Sequence, residues 1–228
     1  MDFNKGLKDG IPVALGYFSV SIAFGLMAIE NECSALEAVL ISVTNLTSAG
    51  QFAGLDIMVA GGAYMEMALT QFIINLRYAL MSLSLSQKLD SSMTLPHRFA
   101  TSFGITDEIF GVASSRSGEV SKYYLYGLIS IPFIGWQAGT LFGALLGGVL
   151  PAMVSDALGI AIYGMFLAII IPQARADSAC LKVILAAVAM SCCFRWIPFL
   201  KNISSGFVII ICAVAASAMG AWLYPVDE

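Results

Sequence analysis

Charge is what this sequence has least of. Lys, Arg, Asp and Glu make up 11% of its 228 residues, against about a quarter in an ordinary globular domain. A water-soluble fold so poor in charge could not cover its own surface. Histidine is almost absent, with His97 alone, so no multi-histidine metal site can form. No H-E-x-x-H pair, G-x-S-x-G elbow or G-x-x-x-x-G-K-[ST] loop occurs, which removes the commonest zinc, serine-hydrolase and nucleotide signatures. No basic run interleaved with aromatics points to nucleic acid. The cysteines (Cys33, Cys180, Cys192, Cys193, Cys212) are odd in number and lack metal spacing. They read as small packing residues, and no disulfide framework or cofactor is expected.

What the sequence has is apolar surface. Hydrophobic residues reach 59% and mean hydropathy is +0.86, as expected where each spanning helix needs about 20 mainly apolar residues. Twenty-one glycines suit a membrane bundle, in which small residues let backbones approach. The length suits one transmembrane domain over 1–228. The first apolar stretch, 11–29, is longer than a signal-peptide core of roughly 7–15 residues and reads as a retained helix.

Apolar segments fall at 11–29, 35–60, 62–86, 99–115, 123–149, 157–172, 181–199 and 203–224. Two are poor simple spans. The segment 35–60 is interrupted from Thr47 to Gly54 and again by Asp56, and 99–115 carries Thr106, Asp107 and Glu108 at its centre. Charges at mid-bilayer depth require protein or water beside them, and broken, polar-centred helices are typical of transporters. If both segments re-enter, six full spans remain. Lys5, Lys8, Lys88, Arg98, Arg116, Lys122, Arg175 and Lys182 then lie on the cytoplasmic side with the N-terminus, against Arg195 and Lys201 outside, as the positive-inside rule prefers. Eight spans move Lys88 and Arg98 outward, and seven reverse the bias. The expectation is therefore an all-α transmembrane bundle of six spans and two broken or re-entrant segments, with seven or eight spans as alternatives. No internal repeat is visible.

The third segment carries the most polar groups. Gln71, Asn75, Tyr78, Ser82 and Ser86 share one helical stripe, while Glu66, Thr70 and Arg77 share another. One stripe is expected to line a cavity and the other to pack on a neighbour; interhelical ties of about 1 kcal/mol each are the competing reading. Arg77 lies too deep for easy snorkelling, so it needs an acidic or carbonyl partner. Glu66 is three turns away, which leaves Asp107 and Glu108 as the better candidates. Ser48, Gly50 and Gln51 belong to a stretch expected to form a helix break, whose amides and carbonyls suit the charged ends of an amino acid. A close-packing kink is the competing explanation. Glu66, Asp107 and Glu108 are candidate proton carriers. His97 follows Pro96 in what reads as an exposed polar loop.

Gly10-Ile11-Pro12, Ala23-Phe24-Gly25, Gln51-Phe52-Ala53, Ile74-Asn75-Leu76-Arg77-Tyr78, Thr106-Asp107-Glu108 and Gly135-Trp136-Gln137-Ala138-Gly139-Thr140 follow one another in a recognisable order. In that order and spacing the chain resembles the AzlC-type large subunit of bacterial branched-chain amino-acid exporters. Tyr78 departs from the pattern, which commonly has histidine there. The resemblance implies an inner-membrane permease that pairs with a small hydrophobic AzlD-type subunit and exports branched-chain amino acids. The residues alone imply a polar, charge-bearing interior in lipid, suited to moving a small zwitterion under an ion gradient. A transporter for methionine or aromatic amino acids, a scaffold, or an intramembrane enzyme are the alternatives.

Overall fold

The computed structural model describes residues 2–147, 167, 170–171, 174–175 and 177–224. The expected span 157–172 lies outside them but for Leu167, Ile170 and Ile171. Among the described residues the chain is helical: α1 (Asp2–Glu30), α2 (Ala35–Thr44), α3 (Ser48–Val59), α4 (Tyr64–Ser86), α5 (Leu95–Ser102), α6 (Asp107–Ser115), α7 (Lys122–Leu146), α8 (Ser178–Trp196) and α9 (Ser205–Leu223). Four of these, α1, α7, α8 and α9, are long and apolar enough to cross a membrane. At 1.5 Å per residue, the 23 residues of α4 also exceed a hydrocarbon core of about 30 Å. Its internal Glu66 and Arg77 lower its hydropathy. The chain forms two compact units, Met1–Gln51 with Asn75–Ala161, and Phe52–Ile74 with Ile162–Glu228.

In the first unit α1 and α7 lie side by side, and glycine is the reason. A methyl group at Gly135 would meet the Ala14 carbonyl oxygen at 2.7 Å, and one at Gly10 would meet that of Leu128 at 2.9 Å. Only a hydrogen fits at either place, so the backbones come into contact. Pro132 cannot donate to the Leu128 carbonyl one turn earlier, and that freed oxygen is the one facing Gly10. Paired positions rise together along both helices, from Gly10 beside Leu128 through Ala14 beside Gly135 to Ile29 beside Gly147. The two helices are therefore parallel.

The route between them fixes the topology. Leu89 and Val120 form an isolated bridge, with the Asp90 N–H on the Val120 carbonyl at 3.1 Å and the Val120 N–H on the Lys88 carbonyl at 2.8 Å. The chain thus leaves after α4 and returns before α7 at the same place. Between those points α5 and α6, of 8 and 9 residues, can each reach only about half the core thickness. The segment 99–115 is re-entrant. Leu85 near the end of α4 packs with Val120 and Tyr124 at the start of α7, whereas Tyr78 reaches Thr47 and Arg77 reaches Asp107 deeper in the unit. Helix α4 accordingly runs opposite to α1 and α7. In the same unit Gln51, one turn into α3, bonds back to Ser42 on α2, so α2 and the start of α3 double back at 45–47 as the first hairpin, entered from the end where α1 finishes. Seven spans would make α1 and α7 antiparallel, and eight would separate Leu89 from Val120, so neither alternative fits the described helices α1 to α7.

Two local expectations are corrected. The break in 35–60 lies at 45–47, and Ser48–Gly54, expected to be the interruption, is the start of α3. Small residues there pack rather than unwind. His97 sits in α5, half-buried, not in an exposed loop. Its Nδ1 is 2.9 Å from the Tyr126 hydroxyl and its Nε2 accepts from Lys122 Nζ at 3.1 Å.

In the second unit α8 and α9 pair as an antiparallel hairpin, with Gly220 seated against Val183.

Candidate functional site

The site grows from the two helix breaks. Thr106 caps α6, its hydroxyl accepting from the Ile109 N–H at 3.4 Å. Asp107 and Glu108 occupy the first turn of α6, where the positive end of the helix dipole favours carboxylates. The Asp107 carboxylate is 2.7 Å from the Arg77 guanidinium, with both side chains partly open at 35% and 43% exposure. The ion pair expected for Arg77 is therefore with Asp107. Arg77 also donates to the Tyr78 hydroxyl at 3.1 Å and lies 4.9 Å from that ring's centre. Tyr78 in turn donates to Thr47, at the tip of the first hairpin, at 3.4 Å. The two stripes on α4 meet through these adjacent long side chains.

Tyr17 was not singled out in the sequence, yet it organises the same cluster. Its hydroxyl bonds to Thr106 and, at 2.7 Å, to the Glu108 carboxylate. Its ring packs edge-on against Trp136 at 5.3 Å and 83°, with Leu46 completing the apolar contact. The available signal was a tyrosine deep in an apolar helix, whose hydroxyl must find a partner there. Tips of hairpins entering from opposite sides thus share one centre with α1, α4 and α7.

Gln51 lies beside this centre and holds it in place. It is 1% exposed, accepts from Trp136 Nε1 at 3.0 Å and donates to the Ser42 hydroxyl at 3.2 Å. Ser42 continues to Thr140 at 2.8 Å. This buried network ties α2, α3 and α7 together. Ser48 follows Thr47 directly, and its buried hydroxyl has no hydrogen-bond partner among the described residues. Gly50 is buried in the same turn of α3, and Asn75 is half-buried on α4 two residues before Arg77.

Glu66 and Gln71 belong to the second unit. Glu66 is 4% exposed and accepts from the Ser204 hydroxyl and, at 3.1 Å, from the Gly206 N–H. It closes the N-terminus of α9, work that a carboxylate does well. Gln71 packs on Gly54, with its amide 3.9 Å from the Met67 sulfur.

One guanidinium, two carboxylates and several hydroxyls at a pair of helix breaks can hold both ends of a zwitterion and exchange protons with it. Residues 12–150, which include every group of this centre, match the AzlC protein family. The chain belongs to the AzlC family. A membrane protein of Archaeoglobus fulgidus is 31% identical over 96% of this chain and 94% of its own. Escherichia coli inner membrane protein YgaZ is 29% identical over 80% and 78%, and a Helicobacter pylori membrane protein is 23% identical over 64% and 66%. No solved structure matches. The AzlC match begins within α1 and runs through α7, so the family pattern includes both hairpins, while α8 and α9 lie beyond it.

Proposed function

We propose that this AzlC chain is the large subunit of a secondary transporter that exports branched-chain amino acids across the inner membrane. The observation that carries the reading is the meeting of two opposed re-entrant hairpins at the Arg77–Asp107 pair. Such broken helices put dipole ends and charges at mid-membrane, where a small zwitterion can shed its water. The cations of the first unit support the orientation. Asp2 pairs with Arg116 at 3.4 Å, so Lys5 and Lys8 lie at the end that also holds Lys88, Arg98, Arg116 and Lys122. That end is cytoplasmic by the positive-inside rule, and the N-terminus lies with it.

Transport rather than catalysis is the reading we favour for a centre whose acids are held by Arg77 and Tyr17. A small hydrophobic AzlD-type subunit completes the permease in this reading, and an ion gradient drives it, with Asp107 and Glu108 as proton carriers. Glu66 is less suited, since its oxygen is engaged at the α9 cap. The test is extrusion of labelled valine, leucine and isoleucine from preloaded cells. Deleting this chain should slow their exit and restoring it should recover the rate. A deletion strain that expels all three at the parental rate overturns the reading.

A further inference from the structure

Between the last turns of α4 and the α5 arm of the second hairpin lies a cavity of about 140 Å³. Ser82, Ser86, Arg98 and Ser102 line its polar side, and Leu85 and Ile105 its apolar side. It lies at the cation-rich end, beside the Leu89–Val120 bridge. Its deep end reaches Ile105, next in sequence to Thr106, and Ser82, one turn along α4 from Tyr78. It therefore lies between the basic surface and the Arg77–Asp107 centre.

We propose that this cavity is a loading site for an α-amino acid with a short aliphatic side chain, and that Arg98 binds its carboxylate. The proposal rests on the export reading and adds a first station to it. Arg98 uses its Nε on the Met93 carbonyl at 3.4 Å, while its terminal nitrogens carry no hydrogen bond or ion pair among the described residues. That leaves the guanidinium fork free for a carboxylate. No acid among the described residues lines the cavity, so a bare cation finds no countercharge from them there. The ammonium of a zwitterion is served instead by the serine hydroxyls and by the C-terminal end of α4, which carries the negative pole of its dipole. Leu85 and Ile105, buried at 3% and 5% exposure, receive the side chain. The cavity is small, which favours valine or leucine over an aromatic ring.

Equilibrium binding of labelled leucine to the purified full chain, in detergent with lipid, tests this. Arg98→Ala should weaken binding by about tenfold or more, as expected on losing a charge-assisted carboxylate contact. Arg98→Lys should recover part of the affinity, which also reports that the site is folded. Ser82→Phe should fill the cavity and abolish binding. Isoamylamine, which lacks the carboxylate, should not compete. Leucine bound equally by the intact chain, R98A and S82F overturns the loading site and leaves the export reading standing, as does competition by isoamylamine as strong as by leucine itself. An intact chain that binds no leucine, in cells whose export does not depend on it, overturns both.

Discussion

Arg77 and Asp107 stand 30 residues apart in the chain and 2.7 Å apart in the fold. Removing one member of such a pair leaves the other charge without its partner at the centre of the site. Arg77→Ala should abolish extrusion while the protein still reaches the membrane in normal amount, measured by labelled-leucine efflux beside immunoblotting of membranes. Full efflux in that variant would remove Arg77 from the mechanism. Tyr17→Phe separates hydroxyl from ring. The contact with Trp136 survives, but the bonds to Thr106 and Glu108 are lost, each worth about 1 kcal/mol and more where a charged acceptor is left bare. Efflux should fall several-fold with a modest drop in melting temperature, and Tyr17→Ala should melt lower still. Arg77, Asp107 and Thr106 were legible in the sequence because charge in an apolar run demands a reason. Tyr17 and Trp136 were not, because aromatic residues in an apolar run are ordinary.

Short helices turn those residues into a site. A hairpin of two half-length helices that leaves and returns at one bridge can be tested from outside. Single cysteines placed at Ser91 and Gly118, in a variant lacking the native cysteines, should react with a membrane-impermeant maleimide from the same face. One at Glu32 should react from the opposite face. Labelling of positions 91 and 118 from different faces would restore a full crossing. The sequence placed the second break well, since Thr106 is a good N-cap and two acids favour a first helical turn. It misplaced the first by a few residues. Ser48, Gly50 and Gly54 read as breakers, yet they start α3, because in a tightly packed bundle small residues mark close approach as readily as unwinding. The parallel pairing of α1 with α7 is not legible in the sequence, since glycine spacing shows that a helix packs closely but not on which partner.

At the scale of the whole molecule the question is what drives it. In the proposed reading export against a gradient draws on an ion, and Asp107 and Glu108 stand beside Arg77 and Tyr17. A proton reaching Asp107 would weaken its hold on Arg77, and one reaching Glu108 would change its bond with Tyr17. Both contacts join the second hairpin to long helices, α4 in one case and α1 in the other. Loading and release of the hairpin would then be tied to protonation rather than to substrate alone. Collapsing the proton gradient with a protonophore should therefore stop leucine extrusion in cells whose ATP is maintained by glycolysis, while replacing sodium by potassium should leave it unchanged. The Asp107→Asn and Glu108→Gln variants should lose the gradient-driven component but keep slow downhill exchange of labelled for unlabelled leucine, because neutral side chains fix the hairpin in one protonation state without closing the cavity. Extrusion that survives the protonophore and ceases without sodium would assign the coupling to a different ion and take proton transfer away from these two acids.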